Sequence, residues 1–304
     1  MMNDEDLEWC GTYGDDRTEA AEAENASKSF VKVSYCREDL LRVVARIGGL
    51  EGADLIEDYK ERTALIKINM GNLRLCQLDR GELLREMGSI DCLLATLVEV
   101  KHWIRCGERS ETQASAWHLT IACWQALRDL ACGSIGNRIA IRLYKHQNVS
   151  GLDLMTNYLE LVEEVTWKDM DDLQIRLATA VIGAMRNASH GTYENCKHLH
   201  DNGATILLMG RLIEGTSSFG YSLPEQLLPW REGCFRAAGT LLNIAEEYDP
   251  CLKSCSISPP VISILLESWG FNKRLRGVFC LMLTYAKEAL TQNEYNATWN
   301  DFIT

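Results

Sequence analysis

The sequence predicts an all-α fold built as an α-solenoid of repeated helical units. A six-residue phrase recurs: Ala126-Leu-Arg-Asp-Leu-Ala131, Ala184-Met-Arg-Asn-Ala-Ser189 and Thr240-Leu-Leu-Asn-Ile-Ala245. Each copy closes an apolar run at helical spacing, and a short polar stretch and a new apolar run follow it. Only five prolines occur in 304 residues, two of them adjacent at Pro259-Pro260, so long helices can run unbroken. With 46 % apolar and 24 % charged residues the chain has the composition of a folded protein, not a disordered one.

Residues 1–28 read as a disordered acidic arm. Before residue 28, Asp4, Glu5, Asp6, Glu8, Asp15, Asp16, Glu19, Glu22 and Glu24 face only Arg17, a composition that solvates rather than packs. Residues 29–304 read as the solenoid, with about four repeats and part of a fifth. Leu40, Leu41, Val44, Ile47 and Leu50 predict a helix from Arg37 to Lys60, weakened at Gly48-Gly49. A second unit is expected to start near Thr63, with an apolar stretch from Leu65 to Cys76 broken at Gly71 and a further run from Ile90 to Val98. Polar residues Arg105 to Gln113 read as a linker before the helix that carries Trp117, Leu119, Trp124, Leu127 and Leu130. Gly133 to Gly136 breaks that helix, Asn137 to Ile141 starts a short one, and Leu152 to Val165 forms a longer one. The third unit runs from the Asp169–Asp172 cluster through the Asn187 phrase, a short helix at Asn195–His200 and a long one at Ala204–Glu214. Gly215 to Pro229 reads as a loop. The fourth unit repeats the order and ends in a helix from Val261 to Trp269, started by the paired prolines. A fifth opens near Lys273. It reaches Thr304 with Phe279, Leu281 and Leu283 still needing cover, which fits either a chain that continues or a segment from Ala286 to Ile303 folded back as a cap.

The fourth residue of the phrase recurs 58 positions apart (Asp129 to Asn187) and then 56 apart (Asn187 to Asn243). Three-helix repeats of the armadillo and HEAT classes have periods of about 40–47 residues, and polar inter-repeat loops supply the surplus. Spacing alone does not separate the two classes.

The net charge of −12 argues against general nucleic-acid binding, which needs a basic surface to displace counterions. Of the twelve cysteines, Cys76, Cys92, Cys123, Cys132, Cys234 and Cys280 sit in apolar helical stretches, where free cysteine acts as a small hydrophobe. The first residues are acidic and lack the apolar core of a secretory signal, and no apolar run reaches the length of a bilayer span. A reduced, cytosolic or nuclear setting is expected, and for a scaffold the cytoplasm, at the cytoskeleton or cell cortex.

No phosphate loop, nucleophile elbow or His-Glu-x-x-His signature occurs, so a non-enzymatic chain is expected, with neither cofactor nor small-molecule substrate. His190, Cys196, His198 and His200 could offer metal ligands, but they lie on or beside one expected helix without a second ligand pair, and a solvated turn is the plainer reading. Trp117 and Trp124, seven apart on an apolar helix, read as core, not as bases for stacking nucleic acid. Trp103, Trp167 and Trp230 fall at linker edges, where exposed anchors are expected. The recurring polar position carries the most functional information. Stacked helices would align Asn187 and Asn243 as a ladder, and an Asn amide can pair with both main-chain groups of an extended peptide. Arg176, Arg186 and Arg236, with Arg138 at a neighbouring helix start, would attract carboxylates. The plainer alternative is that the asparagines cap or stitch repeats.

These phrases resemble armadillo repeats, most closely those of the adenomatous polyposis coli family. Ala126-Leu-Arg-Asp-Leu-Ala-Cys-Gly133 with Asn137-Arg138, then Asp172-Leu-Gln174 through Met185-Arg-Asn-Ala-Ser189, are similar to two successive repeats. Leu84 to Gly88 and Ala238 to Ala245 resemble parts of the flanking repeats, so the likeness covers roughly residues 63–285. The resemblance implies a right-handed superhelix of three-helix repeats and a scaffold that binds partner peptides in a concave groove. In that family the groove holds a Rho-family exchange factor and regulators of Wnt signalling, β-catenin pathway repression and the cytoskeleton. By position, Arg186 and Asn187 match the family's gripping pair, Asn243 a ladder residue, and Arg138 stands where the family has Lys. Arg74 falls near the first ladder place. Asp129 departs from the expected Asn and reverses the local charge. The family's β-catenin-binding repeats lie outside its armadillo region, so direct β-catenin capture is not implied. Inscuteable and the p120-catenin and plakophilin group share the repeat style and give an alternative role as an adaptor in polarity or adhesion. A nucleic-acid-binding helical repeat is the alternative of another class.

Overall fold

The computed structural model describes residues 53–74, 79–86, 88–104, 109–163, 167–219, 228–269 and 275–290. The expected acidic arm, the 37–52 part of the first expected helix and the proposed cap beyond residue 290 lie outside them. The described residues are helical almost throughout, and the order of helix lengths is itself periodic. A long helix, a short one and one of intermediate length follow each other four times: α1 (Ala53–Arg74), α2 (Asp79–Glu86), α3 (Ser89–Val100); α4 (Glu111–Ala131), α5 (Ile135–Leu143), α6 (Gly151–Glu163); α7 (Asp172–Ser189), α8 (Tyr193–Asp201), α9 (Ala204–Phe219); α10 (Leu228–Glu247), α11 (Asp249–Ser256), α12 (Pro259–Trp269). Helix α13 (Arg276–Ala289) opens a fifth round. Between α5 and α6 lies a two-residue hairpin, Lys145-His146 against Val149-Ser150, turned by Gln147 and Asn148 at positive φ.

Local chemistry sets the helix starts. Ser110 accepts from the Gln113 amide and the Gln113 side chain accepts from the Ser110 amide, a reciprocal box that starts α4. Asp171 and Gln174 do the same for α7, and Ser134 caps α5 through the Asn137 amide. Positive-φ glycines Gly133, Gly191 and Gly203 turn the chain between helices, a conformation that a Cβ disfavours. The break expected at Thr63 and Gly71 is absent, because α1 runs continuously through both. Thr63 folds its hydroxyl onto the Tyr59 carbonyl within the helix, and one interior glycine costs only about 1 kcal/mol against such packing.

Consecutive long helices are neighbours: α1 packs on α4, α4 on α7 and α7 on α10, and these are the most extensive helix contacts in the molecule. The short and intermediate helices of each round back the long ones. One continuous core results, with Trp117, Trp124, Leu127, Met155, Tyr158, Leu177, Met185 and Leu241 fully buried. Trp124 meets Tyr158 edge-on at 5.4 Å, and the Tyr158 hydroxyl donates to the Leu97 carbonyl at 2.6 Å, tying α6 to α3. Removing either tryptophan would cost roughly 3–5 kcal/mol by the usual penalty for emptying such a site.

Two of the three expected tryptophan anchors are instead core residues. Trp167 and Trp230 are 1 % and 4 % exposed and face each other edge-on at 5.7 Å, bridging the entries to α7 and α10. The buried Arg211 guanidinium lies 5.2 Å over the Trp167 ring, and the Trp167 indole donates to the Arg211 carbonyl. Sequence position at a linker edge was a poor guide, because each linker residue also seals the junction between two long helices. Trp103 is half-buried beside His102.

Candidate functional site

The phrase residues come together on one face of adjacent long helices. Asn187 on α7 donates its amide to the Arg128 carbonyl of α4 at 2.8 Å. Asn243 on α10 donates in the same way to the Arg186 carbonyl of α7 at 2.9 Å. Each asparagine therefore reaches back to the residue just before the corresponding position of the previous long helix. The stitch that sequence reasoning set against ligand binding is present, and it joins neighbouring units. It uses one N–H. Each amide keeps a second N–H and an oxygen that accepts from no donor among the described residues, and both side chains are half-buried.

Asp129 cannot repeat the pattern toward α1, because a carboxylate has no hydrogen to donate. Its Oδ1 instead takes Nε and Nη2 of Arg128 at 2.8 and 2.7 Å, and both side chains are less than one-fifth exposed. Arg236 is likewise paired within its helix, its Nε donating to Glu232 at 2.9 Å. The Arg186 guanidinium stands 5.9 Å over the Phe235 ring of α10. Between these groups lies Gly183. A Cβ there would overlap Arg236 Nη1 and sit 3.2 Å from Arg128 Cδ, so arginines from both flanking helices lean over bare α7 backbone.

Arg138 has a different place from that expected of a groove residue. It is 6 % exposed, its Nε donates to the Ala131 carbonyl at 3.0 Å, and its Nη1 donates to the His190 carbonyl. It thus closes the ends of both α4 and α7 by meeting carbonyls that the helices leave unpaired. Arg176 pairs loosely with Asp172 at 3.5 Å on the exposed start of α7. Arg74 ends α1, and its side chain lies outside the described residues.

Sequence reasoning missed a second, buried set of amides. Asn137 donates to the Leu130 carbonyl at 2.7 Å, and Asn195 donates to Ala188 at 2.8 Å and to Arg138 at 3.0 Å. Both stand eight positions after the fourth residue of their phrase, so the register was available in the sequence. Cys251 holds the same position after Asn243. Its thiol is drawn below the usual thiol range by Cys255 first, then, against burial, by His200 and Thr205. The buried thiols of Cys123 and Cys196 go the opposite way, pushed up by burial.

The histidine–cysteine run disperses. His198 meets Asp153 at 2.7 Å, His200 meets Thr205 at 3.1 Å, and buried Cys196 donates to the Ser189 carbonyl at 3.0 Å. No group of three or more metal-ligating side chains forms among the described residues. Ser150, His198 and Asp153 superficially resemble a nucleophile, base and acid. However, the hydroxyl and the carboxylate both address Nε2 of the ring, whereas a relay needs the two different nitrogens. Ser150 and Asp153 exchange hydrogen bonds at the start of α6, so the trio is a helix cap tied to α8.

No helix among the described residues is long and apolar enough to cross a membrane. No protein-family model matches the chain, and no curated protein matches it either.

Proposed function

We propose that the chain is an armadillo-type α-solenoid and a non-enzymatic scaffold that binds extended segments of partner proteins along the face of α4, α7 and α10. The observation that carries this reading is the alignment of Asn187 and Asn243. Each is fixed by one hydrogen bond to the preceding long helix and keeps unused amide capacity at a half-buried surface. A side chain held in that way needs no reorganisation to pair with a peptide backbone, which lowers the ordering cost of binding. Arg186, Arg128 and Arg236 flank the row and add charge-assisted donors for acidic residues of the segment. Asp129 pairs with Arg128 and brings the α4 end close to neutral, so a partner would place its acidic residues toward α10. Arg138 acts in this scheme as a structural staple.

The resemblance to adenomatous polyposis coli repeats supports partners among regulators of Wnt signalling and the cytoskeleton, in the cytoplasm. An Arg186→Ala/Asn187→Ala variant tests the reading. Titration of fluorescent degenerate peptides should show binding at least roughly tenfold weaker than wild type, with the helical circular dichroism unchanged. Equal affinity would remove the groove. Single-stranded RNA serves as the control from the other class, since phosphate-driven binding would fall steeply with salt.

A further inference from the structure

We infer that Arg128, Arg186 and Arg236, gathered around the bare backbone of Gly183, form a subsite for a phosphorylated side chain of the bound peptide. The inference rests on the peptide-binding reading above and adds to it the chemistry of one position in the segment.

Gly183 is the first observation. An interior glycine weakens an α-helix relative to alanine, and α7 is otherwise a well-capped, well-packed helix. What the glycine provides is room. Any Cβ would collide with Arg236 Nη1, arriving from α10, and press on the Arg128 stem, arriving from α4. Arg186 stands one turn further along α7, its guanidinium carried over Phe235. Arg128 and Arg236 thus meet over one stretch of α7 backbone, and Arg186 lies beside them over Phe235, the chain neighbour of Arg236.

Their present partners decide which anion fits. Arg128 is balanced by Asp129 and Arg236 by Glu232, and the Glu232 side chain is 51 % exposed. The Arg236–Glu232 pair, with Glu232 half exposed, is of the kind that another anion readily displaces. An incoming carboxylate carries one charge and two oxygens, so it would merely replace one internal carboxylate with another. A phosphoryl group carries nearly two charges and three acceptor oxygens, enough to bridge guanidiniums from neighbouring helices at once. The missing side chain at residue 183 is what lets the Arg236 guanidinium and the Arg128 stem meet there, side by side.

The test uses three pools of fluorescent peptides with degenerate flanks and a fixed central serine, glutamate or phosphoserine, titrated against the full chain. The phosphoserine pool should bind roughly tenfold more tightly than the serine pool, with the glutamate pool close to serine. Arg128→Gln and Arg236→Gln should each bring the phosphoserine-to-serine ratio below about threefold, and Gly183→Val should do the same by displacing Arg236. Inorganic phosphate should compete with the phosphoserine pool more than sodium chloride of equal ionic strength does. Unfolding midpoints within a few degrees of wild type would show that the variants remain folded.

Equal binding of the serine and phosphoserine pools, weakened by the Arg186→Ala/Asn187→Ala change, would overturn this inference and leave the peptide reading standing. A phosphoserine preference that survives both arginine changes would also overturn it, placing the phosphate elsewhere. Failure of all three pools to bind would remove both readings.

Discussion

The junctions at the two ends of the described helices are held by different chemistry. Between α4 and α7, and again between α7 and α10, the link is neutral: Asn187 and Asn243 donate to carbonyls of the preceding long helix, and the Thr240 hydroxyl, 3.4 Å from the Ile182 carbonyl, lies across the second junction. Around α1 the links are ionic. Arg62 is 3 % exposed and reaches both Asp58 at 2.8 Å and Glu99 of α3 at 3.1 Å, while Lys60 meets Glu111 of α4. Asp129 stands where an amide would be needed to extend the neutral pattern to α1. The same stacking of long helices is thus reached by two routes. Only the amide route leaves a regular row of unused hydrogen-bonding groups at the surface, so a ligand surface is expected over α4–α10 and not over α1.

The ionic end is the easier to break. Arg62→Ala takes the guanidinium away from buried Asp58 and from Glu99. It should lower unfolding stability by about 3–5 kcal/mol in a denaturant titration. A loss under about 1 kcal/mol would mean that the pair merely decorates the junction.

The buried amides come next. Asn195→Ala removes one donor from the Arg138 carbonyl and one from the Ala188 carbonyl, which keeps the Thr192 hydroxyl, and should cost about 2 kcal/mol. Unchanged stability would show that these carbonyls find other partners.

Asp129→Asn sharpens the comparison directly. It restores a donor toward α1 and releases Arg128, two effects that oppose each other. Stability should shift by no more than about 0.5 kcal/mol, while affinity for acidic peptides should rise. A loss of affinity would place Asp129 in contact with a basic partner residue.

The smallest effect is one of pH. Burial pushes the Asp153 carboxyl up, but the Ser150 amide, its hydroxyl and His198 together hold it below the usual carboxylate value. A carboxyl lowered in the folded state stabilises the fold above its ordinary range and loses that contribution as pH falls through the folded value. Asp153→Asn should therefore flatten part of the acid limb of stability against pH. A limb identical to wild type would show that this cap does not contribute to acid unfolding.

Much of the architecture was legible because the phrase at Asp129, Asn187 and Asn243 marks the end region of each long helix, and Ser110, Asp171 and Ser134 mark helix starts. The continuous α1 was not legible. Gly71 is a local signal for a break, and the Tyr59–Thr63 hydrogen bond and the packing on α4 that override it are made only in the folded chain. Trp167 and Trp230 were misread for a related reason: a polar neighbourhood in sequence says little about what a ring meets across two helices. At the candidate site, the shared register of Asn187 and Asn243 was readable from the phrase. The sequence could not reveal that one N–H of each amide makes the stitch while the rest of the group remains available. The burial of Arg138 at two helix ends and the leaning of Arg128 and Arg236 over Gly183 depend on side-chain paths across units, which no spacing encodes.

The central claim is that the surface centred on Arg186 and Asn187 holds an extended peptide. Anisotropy titration of a captured partner segment against wild type and the Arg186→Ala/Asn187→Ala variant, at matched helicity, tests it most directly. The account predicts affinity reduced at least roughly tenfold in the variant. Identical titration curves would contradict it.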